Sequence, residues 1–330
     1  MPPPSPAPRV AAVERWLATR GHAATRVEPL TGDISLRRYF RAWLADGGSA
    51  VVAYYPLKLR PVCRRFRVTT ALLEDAGVAV PAVLAADCSR GLMLVADSGE
   101  RTLYEEAPQP WSELAVVYRQ AVGFVRRIQE LPRDKVAVLN PPLDEALLRW
   151  ELKKSWDLFL APEGLTGAPA LAERLRGGLD ALCARLGAES SLVPCHRDYM
   201  PRNLMRCAEG GGLLVLDHQD LRLGPLAYDL ASLLNDSLFP PASLESELVA
   251  ALLPGPDGEL AYRGAVVQRT IKAIGNYRDF ARRGFDRHLG LVRPTLSRAW
   301  RAMPAVPELA PLVDELRPLW QPWLEADLLD

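Results

Sequence analysis

Three oxygen-bearing side chains define the chemistry open to this sequence. Asp198 and Asn203 stand in the run His196-Arg197-Asp198-Tyr199-Met200-Pro201-Arg202-Asn203, and Asp217 in Leu216-Asp217-His218-Gln219-Asp220. Asp198 and Asn203 put a carboxylate and an amide oxygen at the two ends of one loop. Asp217 closes an apolar run, Gly211-Gly212-Leu213-Leu214-Val215-Leu216, where a strand hands over to a turn. Phosphoryl transfer asks for such a set: a carboxylate beside the attacking hydroxyl, and hard oxygen donors that hold Mg2+ against the phosphates. The bland alternative is a polar turn between two hairpin strands, which favours Asp and Asn because they tolerate turn geometry.

The elements that must position these residues change character along the chain. Apolar periodicity predicts a helix over 9–20 ended by Gly21. Strands over 38–44 and 50–55 follow, about the turn Asp46-Gly47-Gly48. A helix over 66–76 stops at Gly77, and strands are predicted over 83–86 and 92–95. Then Leu114, Val117, Tyr118, Ala121, Val122, Val125 and Ile128 recur with the spacing of a core-facing helix over 111–131. Further helices are predicted over 144–160, 169–186, 228–234, 244–253 and 259–281, and near the C-terminus. Only 192–215 interrupts them with β character, and it carries the Asp198 loop. The expected fold class is α+β and bilobal: a proline-rich tail over 1–8, a small antiparallel β-rich N-lobe over 9–98 and a larger helical C-lobe over 99–330.

Composition narrows the partners. With 330 residues, 49% apolar and 24% charged, the chain is long enough for two lobes with their own cores. Basic and acidic residues balance at 40 each, so no net field draws it to nucleic acid or an anionic membrane, and neither is expected as a partner. Apolar runs break before the roughly 18 residues that a membrane span needs. The start, Met1-Pro2-Pro3-Pro4-Ser5-Pro6-Ala7-Pro8, lacks the hydrophobic segment of a signal peptide. The five cysteines are scattered without a C-x-x-C, which argues against a disulfide framework or a zinc site and suits a reducing cytoplasm. Cys195 and His196 are strand neighbours that point to opposite faces, which argues against a Cys-His nucleophile.

The run from His196 to Asn203 has the H-R-D-x-x-x-x-N spacing of the protein-kinase catalytic loop. Further markers are Leu30-Thr31-Gly32-Asp33-Ile34-Ser35-Leu36-Arg37-Arg38-Tyr39-Phe40-Arg41, Asp144-Glu145-Ala146-Leu147-Leu148-Arg149, Gly224-Pro225-Leu226-Ala227-Tyr228-Asp229-Leu230 and Gln268-Arg269-Thr270-Ile271-Lys272. On these residues the chain resembles the aminoglycoside phosphotransferase/choline kinase-like superfamily, with its protein-kinase-like fold. Within it, the chain is similar over 13–300 to bacterial kinases that phosphorylate the anomeric hydroxyl of N-acetylmuramate and N-acetylglucosamine in cell-wall recycling.

The resemblance implies roles. Asp198 would accept or orient the proton of the attacking hydroxyl, and Asn203 and Asp217 would ligate Mg2+ bridging the phosphates of ATP. His196 and Asp229 would brace the loop. A phosphate-covering loop over 31–39 would use Gly32, Ser35, Arg37 and Arg38, the arginines and the hydroxyl being donors matched to phosphate oxygens. An exposed basic hairpin is the bland reading of the same stretch. Adenine would lie against the backbone around Val95, Ala96 and Asp97. The acceptor pocket would draw on Arg202, Glu151, Gln268, Arg269, Lys272 and Tyr277, with Gln268 and Lys272 on one helix face. His218 and Asp220 face substrate or shape the turn after Asp217.

Between 261 and 300 the chain is rich in arginine and has no acidic cluster of the kind an aminoglycoside would favour, although an arginine-rich surface helix gives the same pattern. One departure stands out: a protein kinase carries a lysine on its third strand, and 50–55 has none. Lys58, Arg37 or Arg38 would have to supply that charge. The pair Tyr54-Tyr55 also departs from the anomeric-sugar branch. The expected activity is transfer of the γ-phosphate of ATP to a small-molecule amino sugar. The alternatives are an aminoglycoside- or choline-type phosphotransferase, or a non-catalytic nucleotide-binding pseudokinase.

Overall fold

The computed structural model describes residues 9–30, 36–106, 108–207 and 212–325. The proline-rich tail over 1–8, Gly32 and Ser35 lie outside them. Among the described residues the strands are β1 Ala24–Leu30, β2 Arg38–Leu44, β3 Ser49–Tyr54, β4 Val83–Asp87, β5 Leu92–Ala96, β6 Leu192–Cys195, β7 Leu204–Arg206, β8 Leu213–Val215 and β9 Arg222–Pro225. The α-helices are α1 Val10–Thr19, α2 Arg60–Asp75, α3 Trp111–Gln129, α4 Arg133–Ala137, α5 Glu145–Ser155 and α6 Pro169–Leu186. They continue as α7 Tyr228–Leu234, α8 Ala242–Leu252, α9 Gly255–Arg282, α10 Val292–Ala302 and α11 Val313–Trp320. The chain has the expected α+β class, an antiparallel sheet followed by a mainly helical part. It forms two compact units, one of Met1–Thr102 with Leu204–Gln219, the other of Leu103–Asn203 with Asp220–Asp330. The hairpin β7–β8, counted with the helical lobe from its place in the sequence, packs with the β-rich unit instead.

The first unit is built on an antiparallel sheet of order β1-β2-β3-β5-β4. Strand alternation gives it two apolar faces. Phe40, Ala42, Ala50, Val52, Leu92 and Leu94 pack with Val13, Trp16 and Leu17 of α1. Ala53, Tyr55 and Met93 pack with Cys63 and Phe66 of α2. Strand β1 is missing from the predicted elements for a physical reason. It lies at the sheet edge, buries only Val27 and contains Pro29, which an edge strand tolerates because it has no ladder bond to lose on the outer side. Gly91, at φ +74, comes so close to the Tyr55 carbonyl that a Cβ would overlap it, and its own carbonyl accepts the Tyr55 N–H at 2.7 Å. Cys63 of α2 and Cys88 of the β4–β5 turn form a disulfide, their Cα atoms 5.6 Å apart. This corrects the reading against disulfides: scattered positions on the chain say nothing about which turns the sheet brings together.

In the second unit, α9 is the central helix. From Gly264 to Gly275 every residue is buried, so it is enclosed rather than amphipathic. Gly275 lets α9 approach α5 where a Cβ would overlap the Ser155 backbone, and Ser155 Oγ–H donates to Ile271 O at 2.5 Å. Asp144 caps α5 by accepting the Leu147 N–H at 3.0 Å. The single helix expected over 144–160 is two elements: α5 gives way at Trp156 to a π-helical stretch, Trp156–Gly164, that contains Pro162. A proline there removes an i−4 hydrogen bond, and wider π turns accommodate the loss. Strand β6 pairs antiparallel with β9 and feeds the Asp198 loop. Among the described residues no helix is long and apolar enough to cross a membrane.

Candidate active site

The Asp198 loop is held from below. Asp229, in the first turn of α7, accepts the backbone N–H of His196 at 2.6 Å and of Arg197 at 2.8 Å, and the Cys195 thiol at 3.1 Å. Burial pushes the Asp229 carboxyl up despite these donors. His196 is fully buried, its ring edge-on to Tyr199 at 5.6 Å. Arg197 takes φ +78, a left-handed conformation that a residue with a side chain adopts only where its surroundings enforce it. Here its N–H is fixed by Asp229 and its guanidinium donates to Glu151 Oε1 and Asp220 Oδ2, both at 2.8 Å.

Asp198 sits among cations without being capped by any of them. Arg269 Nη2 is 3.7 Å from its carboxylate, and Lys272 Nζ and Arg197 Nη1 are each 3.9 Å away. Burial alone would raise its pKa, but these three charges outweigh burial and hold the carboxyl well below the usual range. Glu151 is buried, bound to Arg197, 3.7 Å from Lys272 and hydrogen-bonded by the Tyr228 hydroxyl at 3.2 Å. Its carboxyl too is lowered, Lys272 and Arg197 overcoming burial. The Lys272 ammonium is pushed down by burial and by Arg269, with Glu151 and Asp198 opposing. Arg269 also lies 3.6 Å from Asp236. Arg202 reaches Asp236 at 3.9 Å and stacks over Tyr104, 3.5 Å from the ring centre. Asn203 donates Nδ2–H to Asp198 O at 2.8 Å, which fixes the amide so that Oδ1 is the atom a cation would meet.

The other aspartate belongs to the β-rich unit. Asp217 follows β8 at φ +58. Its Oδ1 takes Arg37 Nη2 at 2.6 Å and Gln219 Nε2 at 3.1 Å, and Gln219 Oε1 in turn accepts from Arg37 Nη1 at 3.3 Å. His218 is buried, its Nδ1 2.7 Å from Thr69 Oγ1 and its ring 4.2 Å from that of Phe66, so α2 shapes the turn beside Asp217.

The structure therefore brings Asp198, Asn203, Glu151, Arg202, Lys272, His196 and Asp229 together in the helical unit, and Arg37 with Asp217 in the β-rich one. Gln268 is corrected: it is fully buried and donates to Leu148 O at 3.2 Å, joining α9 to α5 instead of facing a pocket. Asp220 turns to Arg197 and its side chain shapes the turn. Val95 pairs with Val51 on one side and Val83 on the other, so its backbone is part of the sheet. The Asp97 carboxylate is bound by Arg41 Nε at 2.8 Å and Ser49 Oγ at 2.9 Å. Arg38 and Lys58 are exposed. Sequence reasoning left Arg197 without a role and missed Asp236 and Tyr104. The conspicuous motif drew attention to its aspartate, and neither Asp236 nor Tyr104 has a spacing that marks it.

Comparison with known proteins identifies the family. A family model described as the phosphotransferase enzyme family matches residues 26–264. A protein of Pseudomonas aeruginosa named N-acetylmuramate/N-acetylglucosamine kinase is 34% identical over 308 residues, covering 89% of this chain and 88% of its own. One of the same name from Neisseria meningitidis is 32% identical over 300 residues, covering 85% and 86%. The crystal structure of a choline kinase from Streptococcus pneumoniae shares the fold at a TM-score of 0.59 and 16% identity, over 89% of this chain and 97% of that one. Site and comparisons lead to one conclusion: the chain belongs to the phosphotransferase enzyme family.

Proposed function

We propose that this phosphotransferase is an ATP- and Mg2+-dependent kinase of an amino sugar, acting on the anomeric hydroxyl of N-acetylmuramate or N-acetylglucosamine. The observation that carries the proposal is the charge balance around Asp198. Glu151, Asp198, Asp220 and Asp236 are interleaved with Arg197, Arg202, Arg269 and Lys272. A polycationic aminoglycoside calls for a surplus of carboxylate. Choline calls for an aromatic cage, and Tyr104 already carries Arg202 on its face. A neutral N-acetyl sugar, or one with a single carboxylate, needs neither. The names of the two bacterial relatives support the same acceptor class. An ATP donor places the reaction in the cytoplasm.

Asp198 accepts the hydrogen bond of the sugar hydroxyl and aligns its oxygen for in-line attack. Because neighbouring cations lower its basicity, it orients more than it deprotonates. That suits a loose transition state, in which the leaving bond is largely broken before the nucleophile gives up its proton. Arg197, Arg269 and Lys272 keep Asp198 ionised and so able to accept. The Asn203 amide oxygen and the Asp217 carboxylate are hard donors that fit Mg2+, an ion held by one or two carboxylates with phosphate and water completing its shell. When bound, Mg2+ neutralises charge on the phosphates.

The test is phosphate transfer from ATP with Mg2+ to a panel of N-acetylmuramate, N-acetylglucosamine, other hexoses, aminoglycosides and choline, with Asp198→Asn as control. Sugar 1-phosphate from the N-acetyl sugars, absent in the variant, is the expected result. Transfer only to another acceptor overturns the sugar assignment and keeps the chemistry. No transfer to any acceptor overturns the enzyme reading in favour of a pseudokinase.

A further inference from the structure

Strand β3 (Ser-Ala-Val-Val-Ala-Tyr) offers no cation for the nucleotide phosphates, and Lys58 just after it is exposed, with no ion pair among the described residues. Arg37 is differently placed. Only 15% of its side chain is exposed, and it enters the unit directly before β2. Its guanidinium bonds Asp217 Oδ1 at 2.6 Å and Gln219 Oε1 at 3.3 Å, beside Tyr39, whose ring centre is 5.8 Å away. Gln219 bonds both partners, so the three side chains form a closed ring. The carboxylate that the kinase reading assigns to Mg2+ is thus already paired with a cation, on one of its two oxygens.

We propose that Arg37 is the phosphate-binding cation of this protein, and that without nucleotide it is stored on Asp217, where it competes with the divalent metal. The inference rests on the reading of Asp217 as a metal ligand. A guanidinium prefers two oxygens in a fork, whether from a carboxylate or a phosphate. When metal and nucleotide arrive together, Asp217 exchanges Arg37 for the metal and Arg37 gains phosphate oxygens, so neither partner is left unpaired. Metal alone offers Arg37 no new partner, and nucleotide alone leaves Asp217 holding the arginine. The two ligands must therefore bind cooperatively, an expectation that follows from linkage.

The experiment measures Mn2+ binding without nucleotide by the loss of the free-ion paramagnetic resonance signal. It then measures binding of a non-hydrolysable ATP analogue with Mg2+ by calorimetry, in the wild type, Arg37→Met and Arg37→Lys. Arg37→Met is expected to bind Mn2+ alone about tenfold more tightly and the Mg2+–nucleotide about tenfold more weakly, roughly 1.4 kcal/mol in each direction. Arg37→Lys keeps the charge but not the two-oxygen fork, so it should recover only part of the nucleotide affinity lost in Arg37→Met. If Arg37→Met does not fold, Gln219→Ala opens the ring without removing a charge and should tighten Mn2+ alone by a few fold. Unchanged Mn2+ affinity in whichever variant folds overturns the storage on Asp217. Unchanged nucleotide affinity in Arg37→Met overturns the phosphate role. A wild-type protein that binds no Mg2+–nucleotide overturns the kinase reading itself, and is thereby told apart from both.

Discussion

Asp198 and Asp217 are handled in opposite ways by the two units. Asp217 is bonded: one guanidinium touches Oδ1 at 2.6 Å. Asp198 is surrounded: three cations stand at 3.7 to 3.9 Å, beyond hydrogen-bonding distance. A bond uses a lone pair, whereas a field lowers basicity and leaves the lone pairs open. Asp198 therefore stays ionised with its lone pairs open, while one oxygen of Asp217, Oδ1, is already taken by Arg37 and Gln219. Both sites spend backbone strain to point a side chain. Among the described residues, Arg197 and Asp217 are the non-glycine residues with positive φ, a conformation that costs on the order of 1 kcal/mol or more and persists only where neighbours enforce it.

Five substitutions break or sharpen this contrast. The largest effect falls on the aspartates themselves: Asp198→Asn should lower kcat by roughly 10³-fold and leave metal–nucleotide affinity intact, whereas Asp217→Asn should lose both. Calorimetry beside turnover separates them, and a common loss of nucleotide binding would show that the carboxylates do not divide the work.

Next is Glu151→Gln, which leaves Arg197 and Lys272 short of a buried counter-charge. It should destabilise the fold by about 3 kcal/mol in urea unfolding. A loss well under about 1 kcal/mol would mean that the cations around Asp198 do not depend on it.

Lys272→Met probes the field directly. The folded carboxyl of Asp198 is depressed, so the stability it contributes is present above the unfolded pKa near 4 and is lost as pH falls through the lower folded value. Removing Lys272 raises that folded value, and the acid limb of the stability profile from urea unfolding should move to higher pH. An unmoved limb would assign the effect to Arg197 and Arg269.

Arg202→Ala has the smallest expected effect. Losing its contact with Tyr104 should cost about 1 kcal/mol, read as a severalfold rise in acceptor KM with kcat retained. A fall in kcat instead would place Arg202 at the transferring phosphate.

Legibility followed the length scale of each constraint. The loop around Asp198, the turn at Asp217 and the helix of Asp229 were visible because each is a local pattern of polar residues bounded by apolar runs. Strand β1 was hidden because an edge strand with one buried residue and a proline has almost no alternation to read. The Cys63–Cys88 bridge was hidden because its partners are 25 positions apart and only the sheet brings them together. Gln268 misled because an i,i+4 pairing with Lys272 says that two residues share a face, not that the face is open. Between Gly264 and Gly275 helix α9 is buried all round, so both lie inside, one spent on a backbone carbonyl and the other on carboxylates.

From sequence alone come the α+β plan, the phosphotransferase family and the three oxygen donors proposed to serve its chemistry, because short-range spacing decides which side chains share a loop. Tertiary packing alone decided which charges meet. That Arg269 and Lys272 join Arg197 around Asp198, that Glu151 is the buried counter-ion of Arg197 and Lys272, and that Arg37 rather than Lys58 reaches Asp217 are facts about residues distant in the chain. Coulomb energy depends on separation in space and on burial, and neither is written in a linear order of residues.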